Sequence, residues 1–393
     1  MKLKSGQIFL TTLATTTLLV MSGCGEAYQS MVQSTGSNTD SSARISLGMT
    51  ANDKIIILNR DADLSAAEGR FRAHGASVRF RYNTINGLSI TLPEQAADRA
   101  FEAITGDADV LYIEDDQIAT ISKRGGGGKP GSGTETPTPE VTPWGVTRVG
   151  GPFSGTGLTA WIIDTGIDLD HPDLNVDTAR SITVFTTGKD SKSADDGNGH
   201  GTHVAGTIGA IDNDRDVVGV AAGATVVAVK VLSSRGSGSY SGVIAGVDYV
   251  ATNGAVGDVA NMSLGGPPSP ALDEAVIRAA EAGIKFALAA GNETDDANNH
   301  SPARANHANI FTVSAIDSGD VFAYFSNFGN PPVDVAAPGV SILSLWKSGG
   351  LNTISGTSMA SPHVAGLLLL GPLSTSGNAI ADPDGSPDPI AFR

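Results

Sequence analysis

The stretch SGTSMASPHVAG, Ser355 to Gly366, decides how the rest of this chain is read. Ser358 sits among the small residues Gly356, Thr357 and Ala360, and the helix-forming run His363 to Leu370 follows at once. That pattern puts a hydroxyl at a helix start, where the first backbone N–H groups lack partners and carry the positive end of the dipole. Charge developing on an attacked carbonyl oxygen would be stabilised there. Pro362 fits the first turn, where a missing N–H costs nothing. Gly-Thr-Ser is also an ordinary helix cap, so Ser358 needs partners before it reads as a nucleophile.

The partners lie upstream. AWIIDTGID, Ala160 to Asp168, is an apolar run ending in a carboxylate and a turn, the pattern of a buried strand delivering Asp164 at its carboxyl end. NGHGTHVAG, Asn198 to Gly206, puts His200 just before small and β-branched residues that can start a helix. Asp, His and Ser in that order are one known way of assembling an acyl-transfer triad. These three blocks, with AAGN at Ala289 to Asn292, resemble the subtilisin-like serine proteases.

The resemblance implies a serine endopeptidase working through an acyl-enzyme. Ser358 would attack, His200 would move its proton, Asp164 would hold the imidazole, and Asn292 with the Ser358 N–H would bind the oxyanion. It also implies that Gly236, Ser237 and Gly238 and Ser263, Leu264 and Gly265 are the two edges between which a peptide lies as an added strand. Ala289, Ala290 and Gly291 would wall the pocket for the residue before the scissile bond, with room for a large apolar side chain and a floor near His300. AIDNDRDVVGV, Ala210 to Val220, occupies the place of the family's calcium loop. Asp173 and Asn213 would ligate through side chains and Ile211, Arg215 and Val217 through carbonyls, with Glu140 closing the site; a solvated acidic turn is the alternative. No organic cofactor is implied.

Alternation of strands and helices from Pro143 onward argues independently for an α/β fold with a parallel central sheet flanked by helices. Candidate strands are Thr159 to Ile163, Thr225 to Val231, Asp258 to Met262, Ile284 to Ala289 and Ile310 to Ser314. Helices fit His203 to Ile208, Ser241 to Thr252, Pro270 to Ala282 and Ser358 to Leu370. After that helix, Gly371 to Arg393 contains no further helix, which leaves the closure of the fold open.

Upstream, residues 53–122 read as a small β-α-β-β-α-β unit, an α+β ferredoxin-like prodomain. Its ending, VLYIEDDQIAT at Val110 to Thr120, is similar to the closing strand of subtilisin propeptides, which implies a folding aid and inhibitor. An independent binding domain is the other reading. The Gly- and Pro-rich linker 123–142 would contain the maturation site, and 143–393 the peptidase.

Composition sets the outer limits. With 17% charged residues the 393-residue chain is not disordered, and a net charge of -16 argues against nucleic acid. Cys24 is the single cysteine, so no internal disulfide and no cysteine-based zinc site can form. Lys2 and Lys4 precede the apolar, Thr-rich segment Ile8 to Val20, giving a signal peptide over 1–23 followed by a flexible spacer over 24–52. Small residues before a lone cysteine resemble a bacterial lipoprotein signal. The protein is expected outside the cytoplasm, secreted or lipid-anchored through Cys24, as a monomer. Fatty-acid labelling that persisted in Cys24→Ser would remove the anchor. His200 and His203 lie one turn apart, but without an HExxH pattern they do not read as zinc ligands.

Overall fold

The computed structural model describes residues 43–44, 46–121 and 138–393. The signal segment, Cys24, most of the spacer and linker residues 122–137 lie outside the described residues.

The apolar runs fold as the strands and helices named below, among them the antiparallel pair β14 (Ile342–Trp346) and β15 (Gly350–Ile354). In the catalytic part, β6 (Thr159–Asp164), β7 (Thr225–Lys230), β9 (Val259–Met262), β11 (Lys285–Ala289), β12 (Ile310–Ile316) and β13 (Val333–Pro338) lie parallel in the order β13-β12-β11-β9-β6-β7. The chain passes from β6 to β7 on one side and then returns to build β9 on the other. This makes the carboxyl end of β6 a switch point, where open α/β sheets hold their ligands.

Residues alternate between two cores. Ile162, Val226, Ala228 and Ala287 face one, with α3 (His200–Gly209) and α6 (Thr357–Leu370). Trp161, Ile163, Val227, Val229, Phe286 and Leu288 face the other, with α4 (Tyr240–Asn253) and α5 (Pro270–Glu281). A sheet covered on both faces is apolar at successive positions, which is why these strands read as unbroken runs.

The upstream unit is a four-stranded antiparallel sheet in the order β2-β3-β1-β4, from β1 (Asp53–Leu58), β2 (Ser77–Tyr82), β3 (Gly87–Thr91) and β4 (Val110–Asp115). One face carries Ile56, Leu58, Leu88 and Ile90 against α1 (Leu64–Ala73) and α2 (Ala97–Thr105). From the other, Ile55, Ile57 and Tyr82 pack into the core that holds α4 and α5. Burying a side chain of that kind is worth about 1.5–3 kcal/mol, so this face gains by being covered. The end of the expected flexible spacer is also tied down: Met49 is buried, and Arg44 Nη2 donates to the Asp116 carbonyl at 2.9 Å.

Residues 374–392 extend the central sheet by two strands. β16 (Ser374–Asn378) and β17 (Pro389–Phe392) form a hairpin, and β17 joins β13 in parallel through Ala336 and Ile390. Ile390 and Ala391 are buried, and Asp388 accepts from Ser314 Oγ at 2.5 Å and Asn330 Nδ2 at 2.8 Å. A four-residue strand after an Asp- and Pro-rich turn carries too little periodicity to be read from sequence.

Candidate active site

Asp164 ends β6, Ser263 directly follows β9, and Asn292 lies three residues beyond β11. These strands are neighbours about 4.8 Å apart, so the three residues emerge at the same end of the sheet. Ser358 is tied to the middle one: its Oγ donates to the Ser263 carbonyl at 3.2 Å, and Ser263 Oγ donates to the Ser358 carbonyl at 2.8 Å.

His200 Nδ1 donates to the Asp164 carboxylate, 2.9 Å from Oδ1 and 3.0 Å from Oδ2, with both side chains fully buried. A carboxylate only accepts, so the neutral ring keeps its hydrogen on Nδ1 and its lone pair on Nε2. Nε2 is buried and has no hydrogen-bond partner among the described residues. Leaving such an acceptor open costs about 1–3 kcal/mol, the expected state of a base awaiting its proton.

The helix carrying this ring starts at His200, three residues earlier than the sequence reading placed it. Asp196 explains the difference: its carboxylate accepts from the N–H of Gly199 at 2.8 Å and Thr202 at 3.0 Å, satisfying free donors of the first turn. Thr165 Oγ1 donates to the same carboxylate at 2.9 Å and accepts from Gly201 N at 2.9 Å, which joins the Asp164 strand to the His200 helix.

His203 and His363 belong to the packing. Nε2 of His203 donates to the Ile342 carbonyl at 3.0 Å and Nδ1 of His363 to the Met359 carbonyl at 2.8 Å. Burial pushes their pKa values down to about 3 and about 4, keeping both neutral. The rings of His200 and His203 address different partners and share no site.

Asn292 Oδ1 accepts from Thr357 N at 2.9 Å and Thr357 Oγ1 at 3.1 Å, so the residue before Ser358 fixes its amide. The two segments expected to be groove edges lie on either side of one strand. β8 (Ser237–Ser239) and β10 (Leu264–Gly265) flank β5 (Ile118–Ile121), and all three form an antiparallel sheet. Ile121 N donates to the Gly236 carbonyl at 3.0 Å. Ala289, Ala290 and Gly291 line a narrow pocket beside Leu264 and Gly265, with Glu293 and His300 also in its wall.

The loop Ala210 to Val220 gathers the expected ligands partway. Asp173 is buried; its Oδ1 accepts from Asn213 Nδ2 at 2.7 Å and its Oδ2 from Val217 N at 3.5 Å. Burial pushes this carboxyl up to about 7. Its carbonyl accepts from Ile211 N at 3.1 Å, and Glu140 Oε2 accepts from Asn213 N at 2.6 Å. Arg215 turns its guanidinium to Asp216, at 3.2 Å. Among the described residues no cluster of three His, Cys, Asp or Glu forms a metal cage.

The family model "Subtilase family" matches residues 155–371, which span Asp164, His200, Asn292 and Ser358. The chain belongs to the subtilase family. Among its relatives, alkaline serine exoprotease A of Vibrio alginolyticus is 44% identical over 300 residues, covering 73% of this chain and 52% of the relative. Cerevisin of Saccharomyces cerevisiae is 40% identical over 348 residues, covering 81% and 50%. This chain thus spans about half the length of each. Proteinase T of Parengyodontium album is 45% identical over 273 residues, covering 65% and 84%. A solved cold adapted subtilisin-like serine proteinase matches with a TM-score of 0.55 and 43% identity, covering 63% of this chain and 97% of that one.

In this subtilase, sequence reasoning overlooked two carboxylates that dock the upstream unit. Glu114 Oε1 accepts from Ser269 Oγ, the N-cap of α5, at 2.6 Å. Asp116 accepts from Ser241 N at 2.9 Å and Ser241 Oγ at 2.5 Å in the first turn of α4. Each acid faces the positive end of a helix. Burial nevertheless raises Glu114 to about 7 and Asp116 to about 6; Asp273 and Asp53 add to the rise, while the Arg79 guanidinium, 3.7 Å from Asp116, opposes it. The signal available was the acidic run Glu114, Asp115 and Asp116 at the end of a strand, which by itself looks like a solvated edge.

Proposed function

We propose that this subtilase is an exported serine endopeptidase of broad specificity, secreted or lipid-anchored through Cys24 and made as a zymogen inhibited by residues 53–122. One observation carries the reading: β5 of the upstream unit lies between β8 and β10 as an added strand. A groove that pairs with backbone accepts many sequences, and a polypeptide is what it accepts. Ser358 Oγ attacks the carbonyl, His200 takes the proton and returns it to the leaving amine, and Asp164 stabilises the charged imidazole. Asn292 and the Ser358 N–H receive the oxyanion. The small wall Ala289–Gly291 favours a large apolar residue before the scissile bond. A fluorophosphonate is expected to modify Ser358 and to stop casein hydrolysis in the same sample. Modification of another serine, or ester cleavage without casein cleavage, would overturn the reading.

Inhibition by the upstream unit carries a pH dependence. Glu114 and Asp116 rise to about 7 and about 6 in the docked state from ordinary values of 4.5 and 3.8. Docking therefore takes up protons. It is strongest below the free values and is lost as pH rises through 6 to 7. After self-cleavage, release of the inhibitor should be at least about tenfold faster at pH 8 than at pH 5. Onset of cleavage of a fluorogenic peptide, normalised to the mature enzyme's rate at each pH, measures this. Glu114→Gln should flatten the upper part of the profile; faster onset at pH 5 would refute it.

Calcium is proposed for the loop around Asp173. A buried carboxylate whose hydrogen-bond donors are uncharged suits a divalent cation, and Asp173 with nearby backbone carbonyls would hold it. Ligation through Asn213 Oδ1 requires its amide to turn over, since Nδ2 now faces Asp173. The ion would supply positive charge that ties residues 138–141 to the loop. At calcium about a hundredfold above Kd, a chelator should lower the thermal midpoint by about 5–10 °C, restored by added calcium. An unchanged midpoint leaves only a hydrogen-bonded acidic turn.

A further inference from the structure

The segment that presents Asn292 has little regular structure of its own. Gly291 has φ of 109° and Thr294 of 59°, and the chain from Ala290 to Asp295 runs between β11 and a single 3-10 turn. Something outside it must hold it. Asn327, fully buried in the connection between β12 and β13, spends its whole side-chain hydrogen-bonding capacity there. Its Nδ2 donates to the Ala290 carbonyl at 3.0 Å and to Glu293 Oε2 at 2.7 Å. Its Oδ1 accepts from Glu293 N at 2.9 Å and Asp295 N at 3.0 Å. Its backbone N–H donates to the Gly291 carbonyl at 3.0 Å. These partners lie on both sides of Asn292. Glu293 Oε2 also accepts from Asn292 N at 2.8 Å, which carries the same clamp to the residue itself.

The fit is tight. A β-carbon at Gly291 would lie 2.2 Å from Asn327 Nδ2, so glycine is the residue that allows the approach. Thr357 holds the other end by donating twice to Asn292 Oδ1. A backbone N–H can only donate, so the amide oxygen is turned to Thr357 and Nδ2 to the opposite side. The donor's aim is set by two anchors, one on its side chain and one on its backbone.

We infer that Asn327 is a positioning residue for the oxyanion hole: it fixes the backbone on either side of Asn292 and thereby the direction in which that amide donates. The inference rests on the reading of Asn292 as the oxyanion donor. A preorganised donor is effective because it does not have to be reoriented during reaction, so loosening its support lowers kcat more than KM.

The test is a double-mutant cycle on the mature enzyme with a peptide substrate, using N327D, N292A and the pair, with the thermal midpoint of each. N327D is nearly isosteric but replaces the donor facing Glu293 with an acceptor. In the Asn292 background it should lower kcat at least about tenfold with KM within about twofold; in the N292A background the loss should fall below about twofold. N292A by itself should lower kcat about 10²- to 10³-fold, the figure for the equivalent asparagine in subtilisin, carried over here. Equal losses from N327D in both backgrounds, or no loss in either, overturn the positioning role and leave the oxyanion reading standing. An unchanged kcat in N292A removes the oxyanion reading and this inference with it. If N327D does not fold, E293Q takes its place in the cycle, with the same outcomes deciding.

Discussion

Replacing Ser358 with alanine is expected to lower kcat by on the order of 10⁶, the size of the corresponding loss in subtilisin, which is carried over here. The substitution removes one oxygen from a buried side chain and leaves the backbone in place, so the helix start and the groove should survive. Asn292, Thr357 and the pairing surfaces of β8 and β10 are untouched, and substrate should still bind with KM changed only a few-fold. Maturation should fail as well, because self-cleavage would use the same hydroxyl. The variant should therefore accumulate at full length, and trace wild-type enzyme, removed afterwards, can supply the mature form for assay. Labelling by a fluorophosphonate should disappear in parallel. Retention of even one per cent of peptide cleavage in the purified variant would contradict the assignment of the nucleophile.

Asp164→Asn should cost about 10⁴ in kcat, the figure for the corresponding change in another serine protease. The reason is visible in the geometry. Both Asp164 oxygens lie within 3.0 Å of His200 Nδ1, and both can only accept, so the ring has to keep its hydrogen there. An asparagine can turn its NH₂ towards Nδ1, which then accepts. The hydrogen moves to Nε2, and that nitrogen no longer has a lone pair with which to take a proton. Burial makes the effect large, because no water competes for either nitrogen. KM should change little, since the groove is built from other residues. A loss below about tenfold in kcat would mean that the carboxylate does not set the tautomer.

Much of the catalytic part was legible because its signals are short. The run Ala160 to Asp164 reads as a strand ending in an acid, and SGTSMASPHVAG as a hydroxyl on a helix start, although Pro362, expected in the first turn, lies inside α6 as its sixth residue. The start of α3 was misplaced by three residues because the group that caps it, Asp196, acts from outside the helix and its bonds are not implied by spacing. The docking face of β1 escaped notice for a different reason. Ile55, Ile56, Ile57 and Leu58 are all apolar, and such a run does not say that one pair packs on α1 and α2 while the other packs on α4 and α5. Glu114 and Asp116 look like edge acids until the helix ends they face are known.

Taken alone, the amino-acid order determined the family resemblance and the α/β architecture and nominated the residues proposed for the chemistry, since all three follow from local runs of apolar, small and polar residues. Only the tertiary structure decided the rest: β5 lies in the groove, β17 extends the sheet, and Asn327 clamps the backbone around Asn292. Each of these rests on hydrogen bonds between segments far apart in the chain. A backbone N–H or a buried amide looks the same in sequence wherever it is, and its partner is fixed only when packing leaves it one place to bond.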